Sequence, residues 1–155
     1  KYLFNLISRT LKTKIKFFSK DVFENSKRLN LNFGHTFAHA VEMSIKSKKK
    51  DIIRHGEAVG VGMLCEIYYS EGKSKKYYFV KNLLEKYNLP SNISQFVKIK
   101  DKKKICHEVY KNIFLDKKRI GKYPRCIKIL KLGKSKIIEM RNNKKIKKTI
   151  DKFFF

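Results

Sequence analysis

Arginine is scarce in a chain otherwise saturated with positive charge. Six of the 39 basic residues are arginine (Arg9, Arg28, Arg54, Arg119, Arg125 and Arg141); against 13 acidic residues the formal net charge is +26. A charge of that size ordinarily points to nucleic acid or an anionic membrane. Specific readers of bases and phosphates favour the bidentate arginine fork, however. A lysine excess accompanied by abundant Ile, Asn and Phe follows A+T-rich codons and needs no partner, so neither nucleic acid nor membrane is expected as one. Cysteine is also sparse. Cys65, Cys106 and Cys126 are odd in number, far apart and without a CxxC pair, which excludes a disulfide framework and a cysteine zinc knot and fits a reducing, cytoplasmic setting. Long apolar runs are missing too: Glu57, Glu66 or lysines cut every stretch short of the ~20 residues that span a bilayer. The opening KYLFNLISRTLKTKIKFF interleaves its apolar positions with Arg9, Lys12, Lys14 and Lys16, unlike the unbroken core of a targeting peptide. It lacks an initial Met, so a fragment of a longer protein is expected.

What remains is enough for a core. The 155 residues are 42% hydrophobic, with 12 Phe and eight Tyr, sufficient for one domain. Helical spacing of Leu3, Leu6, Ile7, Leu11 and Ile15 predicts an amphipathic helix ending near Ser19. Asp21 and Glu24 have capping-box spacing and predict a second helix running to about Ile45, interruptible at Gly34. Residues 46–50 read as a solvated basic loop. A third helix opens at His55, and Ala58, Gly62 and Cys65 form a small-residue strip for close helix approach. Gly60 and Gly62 each cost ~1 kcal/mol relative to Ala in a helix, which points to tight packing or backbone approach. Further helices are predicted over 75–87, packing through Tyr78, Phe79, Leu83 and Tyr87 and stopped at Asn88-Leu89-Pro90, and over 98–114. Alternation over 125–131 and 136–140 predicts a β-hairpin, followed by a short basic helix or frayed end over 143–155. The expected class is therefore mainly α, a multihelical domain with one short hairpin near the C-terminus.

Lysine is absent from 28–45 and from 51–72. These two windows hold His35, His39 and His55, three of the four histidines, so local chemistry there has resisted the compositional drift. His107, beside Glu108, reads as an ordinary surface or boundary residue. Arg28, Asn32, His35, His39 and Glu42 recur at intervals that a continuous helix would place on one face. Such a stripe supplies anion donors, a metal ligand and proton-transfer groups. His35 and His55, on different elements, can converge on one divalent ion, leaving His39 to act on a substrate. A catalytic zinc takes three protein ligands, so a third must be found among Glu42, Glu57 and Glu66 or on an upstream segment. Metal beside Lys14, Arg28 and Asn32 suits an anionic, hydroxylated substrate.

Lys14, Asp21, Glu24 and Arg28, followed by LNFGHTFAHAVE and HGEAVGVGM, then Asn88-Leu89-Pro90, Asp116-Lys117-Lys118 and IKILKLGKS, closely resemble the carboxy-terminal half of 3-dehydroquinate synthase over nearly the whole chain. The resemblance implies that family's C-terminal helical fold and a shikimate-pathway lyase of aromatic amino acid biosynthesis. The reaction would be conversion of 3-deoxy-D-arabino-heptulosonate 7-phosphate, a phosphorylated sugar acid, to 3-dehydroquinate with loss of phosphate. Implied cofactors are NAD and a divalent metal, zinc or cobalt. Carried over by the motif, His35 and His55 become metal ligands and Glu24 and His39 proton-transfer residues. Lys14, Arg28, Asn32 and one or both of Lys117 and Lys118 become substrate contacts. Residues 1–155 then constitute the metal- and substrate-binding domain, the NAD-binding domain lies upstream of this chain, and the whole is a homodimer. Ala38 stands where the family usually has glycine, and Lys27 where an apolar residue is usual. A related sugar-phosphate cyclase is the nearest rival reading, and a lysine-rich nucleic-acid-binding module is the rival from another class.

Overall fold

The computed structural model describes residues 1–19, 21–22, 27–45, 52–115 and 122–153. Among these, six α-helices and one antiparallel hairpin follow in the order α1 (Tyr2–Phe18), α2 (His35–Ser44), α3 (His55–Glu71), α4 (Lys75–Lys86), α5 (Lys102–Leu115), β1 (Arg125–Lys131), β2 (Lys134–Glu139) and α6 (Asn143–Phe153). Short 3-10 helices occupy Lys27–Asn32 and Ile99–Asp101. The mainly α class with a single C-terminal hairpin is therefore observed. No helix of the described residues is long and apolar enough to cross a membrane.

Two compact units make up the chain, residues 1–32 and 33–155. In the first, α1 has the amphipathic spacing its sequence predicts, yet none of its residues is buried. Asp21 does not begin a long helix. Its carboxylate accepts the backbone N–H of Arg28 at 3.0 Å, capping the 3-10 turn, while residues 23–26, including Glu24, lie outside the described residues. The helix expected to run to Ile45 takes the interruption allowed for at Gly34: a 3-10 turn ends at Asn32 and α2 starts afresh at His35. Gly34, at φ +88°, makes that break. The face expected to align Arg28 and Asn32 with His35, His39 and Glu42 on one rod is therefore not continuous.

In the second unit α2 packs on α3 and α5, and α3 also touches α4, α6 and β1. Phe37, Val41, Leu64, Ile93, Ile113, Met140, Ile146 and Ile150 fill the centre. Capping fixes the element starts. The Glu57 carboxylate accepts Arg54 N–H at 2.8 Å ahead of α3, Ser74 Oγ accepts Tyr77 N–H at 3.3 Å in α4, and Asn142 Oδ1 accepts Lys145 N–H at 2.9 Å in α6. The small-residue strip of α3 has the use its composition suggested. A Cβ on Gly62 would run into the carbonyl oxygen of Gly34, and one on Gly34 would lie 2.6 Å from Val59 O. The start of α2 thus rests directly on the α3 backbone.

One packing face differs from expectation. Tyr78, Phe79 and Leu83 of α4, with Tyr87 just after it, are exposed, whereas Tyr77 and Leu84 are buried. Apolar residues occur all round α4, so spacing alone selects no face; the approach of Leu84 to α3 at Gly60 selects it. The hairpin pairs Cys126 with Ile138 and Ile127 with Ile137. It is docked by polar bonds as well as apolar ones. Thr36 Oγ1 donates to Arg125 O at 2.6 Å, and Ile127 N–H donates to Glu66 Oε2 at 2.7 Å. At the far end Lys76 donates to Glu71 and to Ile129 O, each at 2.8 Å. The expected loop over 46–50 lies outside the described residues.

Candidate metal centre

His35 and His55 are each the first residue of a helix, and His39 follows His35 by one turn of α2. Because Gly34 and Gly62 let α2 settle on α3, the two helix starts come together. The ring centroids of His35 and His55 are 5.4 Å apart, those of His35 and His39 5.6 Å, and those of His39 and His55 6.0 Å. Two imidazoles on one tetrahedral ion, with metal–nitrogen bonds near 2.0–2.1 Å, have centroids ~5 Å apart. The His35–His55 pair comes nearest to that value.

A carboxylate joins the group. Glu42, two turns beyond His35, places Oε1 3.0 Å from His55 Nδ1. The compact set of potential ligand atoms comprises His39, Glu42 and His55, all within 4.8 Å of one another. His35 stands outside that set although its ring is nearest to that of His55. Ligand atoms on one tetrahedral ion are only ~3.4 Å apart, so the 4.8 Å grouping is loose, and ring placement is the better guide to which imidazoles can share an ion.

The other two glutamates considered as ligands are engaged elsewhere. Glu57 caps α3 through Arg54 N–H. Glu66 is fully buried behind the start of α2, and its proton affinity is raised to about 8, chiefly by burial. The backbone N–H groups of Ile127, Gly34 and Thr36 oppose that rise without cancelling it. Ile127 N–H donates to Oε2 at 2.7 Å, and the Gly34 and Thr36 N–H groups also point at the carboxylate. Nothing in the sequence distinguished this internal glutamate from a surface one except its place in the lysine-free window.

Lys14 is exposed on α1. Arg28 donates from Nη1 to Val22 O at 2.7 Å and stacks its guanidinium 4.2 Å from the Phe18 ring centre. Asn32 closes the 3-10 turn. These three belong to the first unit and the histidines to the second. Glu24, Lys117 and Lys118 lie outside the described residues. His107 is exposed on α5, in keeping with a surface role. The three cysteines are buried free thiols, and burial raises the proton affinity of each.

Fold and cluster together define a class: a mainly helical domain that gathers three imidazoles and a carboxylate where two helix starts meet. The family model described as 3-dehydroquinate synthase C-terminal matches residues 1–119, and the chain belongs to that family. Proteins named 3-dehydroquinate synthase resemble it along most of its length. That of Vesicomyosocius okutanii subsp. Calyptogena okutanii is 34% identical over 155 residues, covering 97% of this chain and 40% of the relative. That of Sulfurimonas denitrificans is 40% identical over 116 residues, and that of Nitratiruptor sp. 35% over 122, each covering 72% of this chain and 30% of the relative. The matches thus span between 30% and 40% of these relatives' length.

Proposed function

We propose that this chain is the metal- and substrate-binding half of a 3-dehydroquinate synthase. The other half, an NAD-binding domain, precedes it in the longer protein. The observation that carries the reading is the convergence of His35, His39 and His55 from two helix starts, in the segments LNFGHTFAHAVE and HGEAVGVGM.

In this reading His35 and His55 hold a divalent ion, zinc or cobalt, and the upstream domain supplies a third, carboxylate ligand. Imidazole nitrogen and carboxylate oxygen are donors that suit either metal. Such an ion, if bound, would supply Lewis-acid contacts for substrate hydroxyls, and NAD would supply a reversible hydride acceptor. The chain's own groups bind and move protons. Lys14, Arg28, Asn32 and one or both of Lys117 and Lys118 hold the carboxylate and phosphate of the heptulosonate phosphate through charge-assisted hydrogen bonds. His39, one turn from His35, and Glu24 transfer protons during phosphate elimination and ring closure. The assembled enzyme is a homodimer of the cytoplasm.

Metal binding by the full-length enzyme, read by competition with a chromophoric chelator, tests the ligand assignment. His35→Ala and His55→Ala are each expected to lose the ion, and His39→Ala to keep it. Loss on His39→Ala with retention on His35→Ala would instead make His39, Glu42 and His55 the ligand set. Product analysis of the full-length enzyme with the heptulosonate phosphate tests the reaction. Formation of a different cyclised product would place the protein among related sugar-phosphate cyclases.

A further inference from the structure

Glu42 lies in α2, yet its carboxylate is turned toward the first residue of α3. Its Oε1 is 3.0 Å from His55 Nδ1, and the Glu42 side chain is 22% exposed against 57% for the imidazole. Among the described residues Glu42 is the only hydrogen-bond partner of that ring. An ionised carboxylate can only accept, and a neutral imidazole carries one N–H and one lone pair. Between an ionised carboxylate and a neutral imidazole, this bond puts the proton on Nδ1 and leaves the lone pair on Nε2.

The separation fits an acceptor. Two ligand atoms on one tetrahedral ion are ~3.4 Å apart, whereas N–H···O bonds cluster near ~2.9–3.0 Å. Glu42 sits at the hydrogen-bond distance. Metal-bound histidines generally donate their second ring N–H to a carboxylate or carbonyl, which fixes both the tautomer and the ring plane. More than half of the His55 side chain is in solvent, and Glu42 adds a directional bond to its ring contacts with His35 and His39.

We propose that Glu42 is a positioning residue that accepts the Nδ1 proton of His55 and so presents Nε2 to the divalent cation, without itself joining the coordination sphere. The inference rests on the metal-binding reading above and adds the source of the His55 tautomer. It also gives the carboxylate of the His39, Glu42 and His55 grouping a role beside the ion.

The full-length enzyme is compared with its Glu42→Ala and Glu42→Gln variants by zinc competition, by the visible spectrum of the cobalt-loaded protein, and by nitrogen NMR of the His55 ring without metal. Glu42→Ala is expected to weaken zinc binding roughly 10- to 100-fold, with cobalt band positions and intensities unchanged. In the metal-free chain it shifts His55 toward the Nε2–H tautomer. Glu42→Gln keeps a carbonyl acceptor and is expected to recover much of the affinity. Altered cobalt bands in both variants, with equal loss of affinity, would make Glu42 a ligand and overturn the proposal. So would finding the Nε2–H tautomer already dominant in the unsubstituted, metal-free chain. Failure of the unsubstituted full-length enzyme, upstream domain included, to bind zinc or cobalt would overturn the metal reading and this proposal with it. Metal binding combined with the wrong tautomer would overturn this proposal alone.

Discussion

Replacing Glu66 by Gln should remove a large part of the pH dependence of stability. This carboxyl lies wholly inside the second unit, where burial holds its proton up to about 8 against an ordinary 4.5. The folded chain therefore keeps a proton that the unfolded chain has released, and raising the pH favours unfolding. The contribution is full below about pH 4.5 and is lost as pH rises through about 8. Its slope is roughly 1.4 kcal/mol per pH unit, which sums to on the order of 5 kcal/mol across that window, an upper figure because water entry relieves a buried charge. Gln is uncharged and nearly the same size, and its carbonyl can accept the Ile127 N–H that Glu66 Oε2 accepts at 2.7 Å. Urea unfolding of both proteins from pH 5 to 9, compared as the difference between them, isolates this group from every other titration. The expected difference falls by about 1.4 kcal/mol per unit between pH 5 and 8 and levels off above. A difference that stays flat through that range would show Glu66 already ionised in the folded chain and refute the reasoning.

Other expectations follow from the same geometry. Gly62→Ala drives a methyl into the Gly34 carbonyl; a loss of about 1–3 kcal/mol in chemical unfolding, together with weaker metal binding, is expected. Unchanged stability would mean that α2 does not rest on α3 as described. Lys76→Met removes the donor shared by Glu71 and Ile129 O. Glu71 is held below its ordinary value first by its hydrogen bond to Lys76, so its contribution is present above about pH 4.5 and fades as pH falls below. The substitution should flatten the unsubstituted chain's loss of stability there, measured by thermal melts at pH 3 to 5. Cys65, Cys106 and Cys126 are buried, and each has a raised proton affinity, so a thiol reagent should modify all three only after unfolding. Rapid labelling of the native chain would contradict that burial.

Much of the local structure was legible without coordinates because it depends on near neighbours in the chain. The helices opening at His55 and Lys75, the hairpin over 125–139 and the stop at Asn88-Leu89-Pro90 follow from spacing, alternation and turn residues. The lysine-free windows likewise singled out the three histidines that the fold brings together. What spacing could not resolve was any choice between equivalent faces. Apolar residues ring α4, and only its approach to α3 at Gly60 decides that Tyr77 and Leu84 go inside while Phe79 and Leu83 stay out. Likewise the 28–42 stripe assumed one rod, and the left-handed Gly34 ended it.

By itself the sequence determined which chemistry the chain carries: imidazoles, carboxylates and an arginine at motif spacing, retained against a strong drift to lysine. Tertiary structure alone decided how the three glutamates divide their work. Glu57 caps a helix, Glu66 is sealed behind the start of α2, and Glu42 reaches across to the ring of His55. The physical reason is that a carboxylate's role depends on which donors and how much water surround it. Those surroundings come from residues tens of positions away, brought into place by the seating of α2 on the glycine strip of α3.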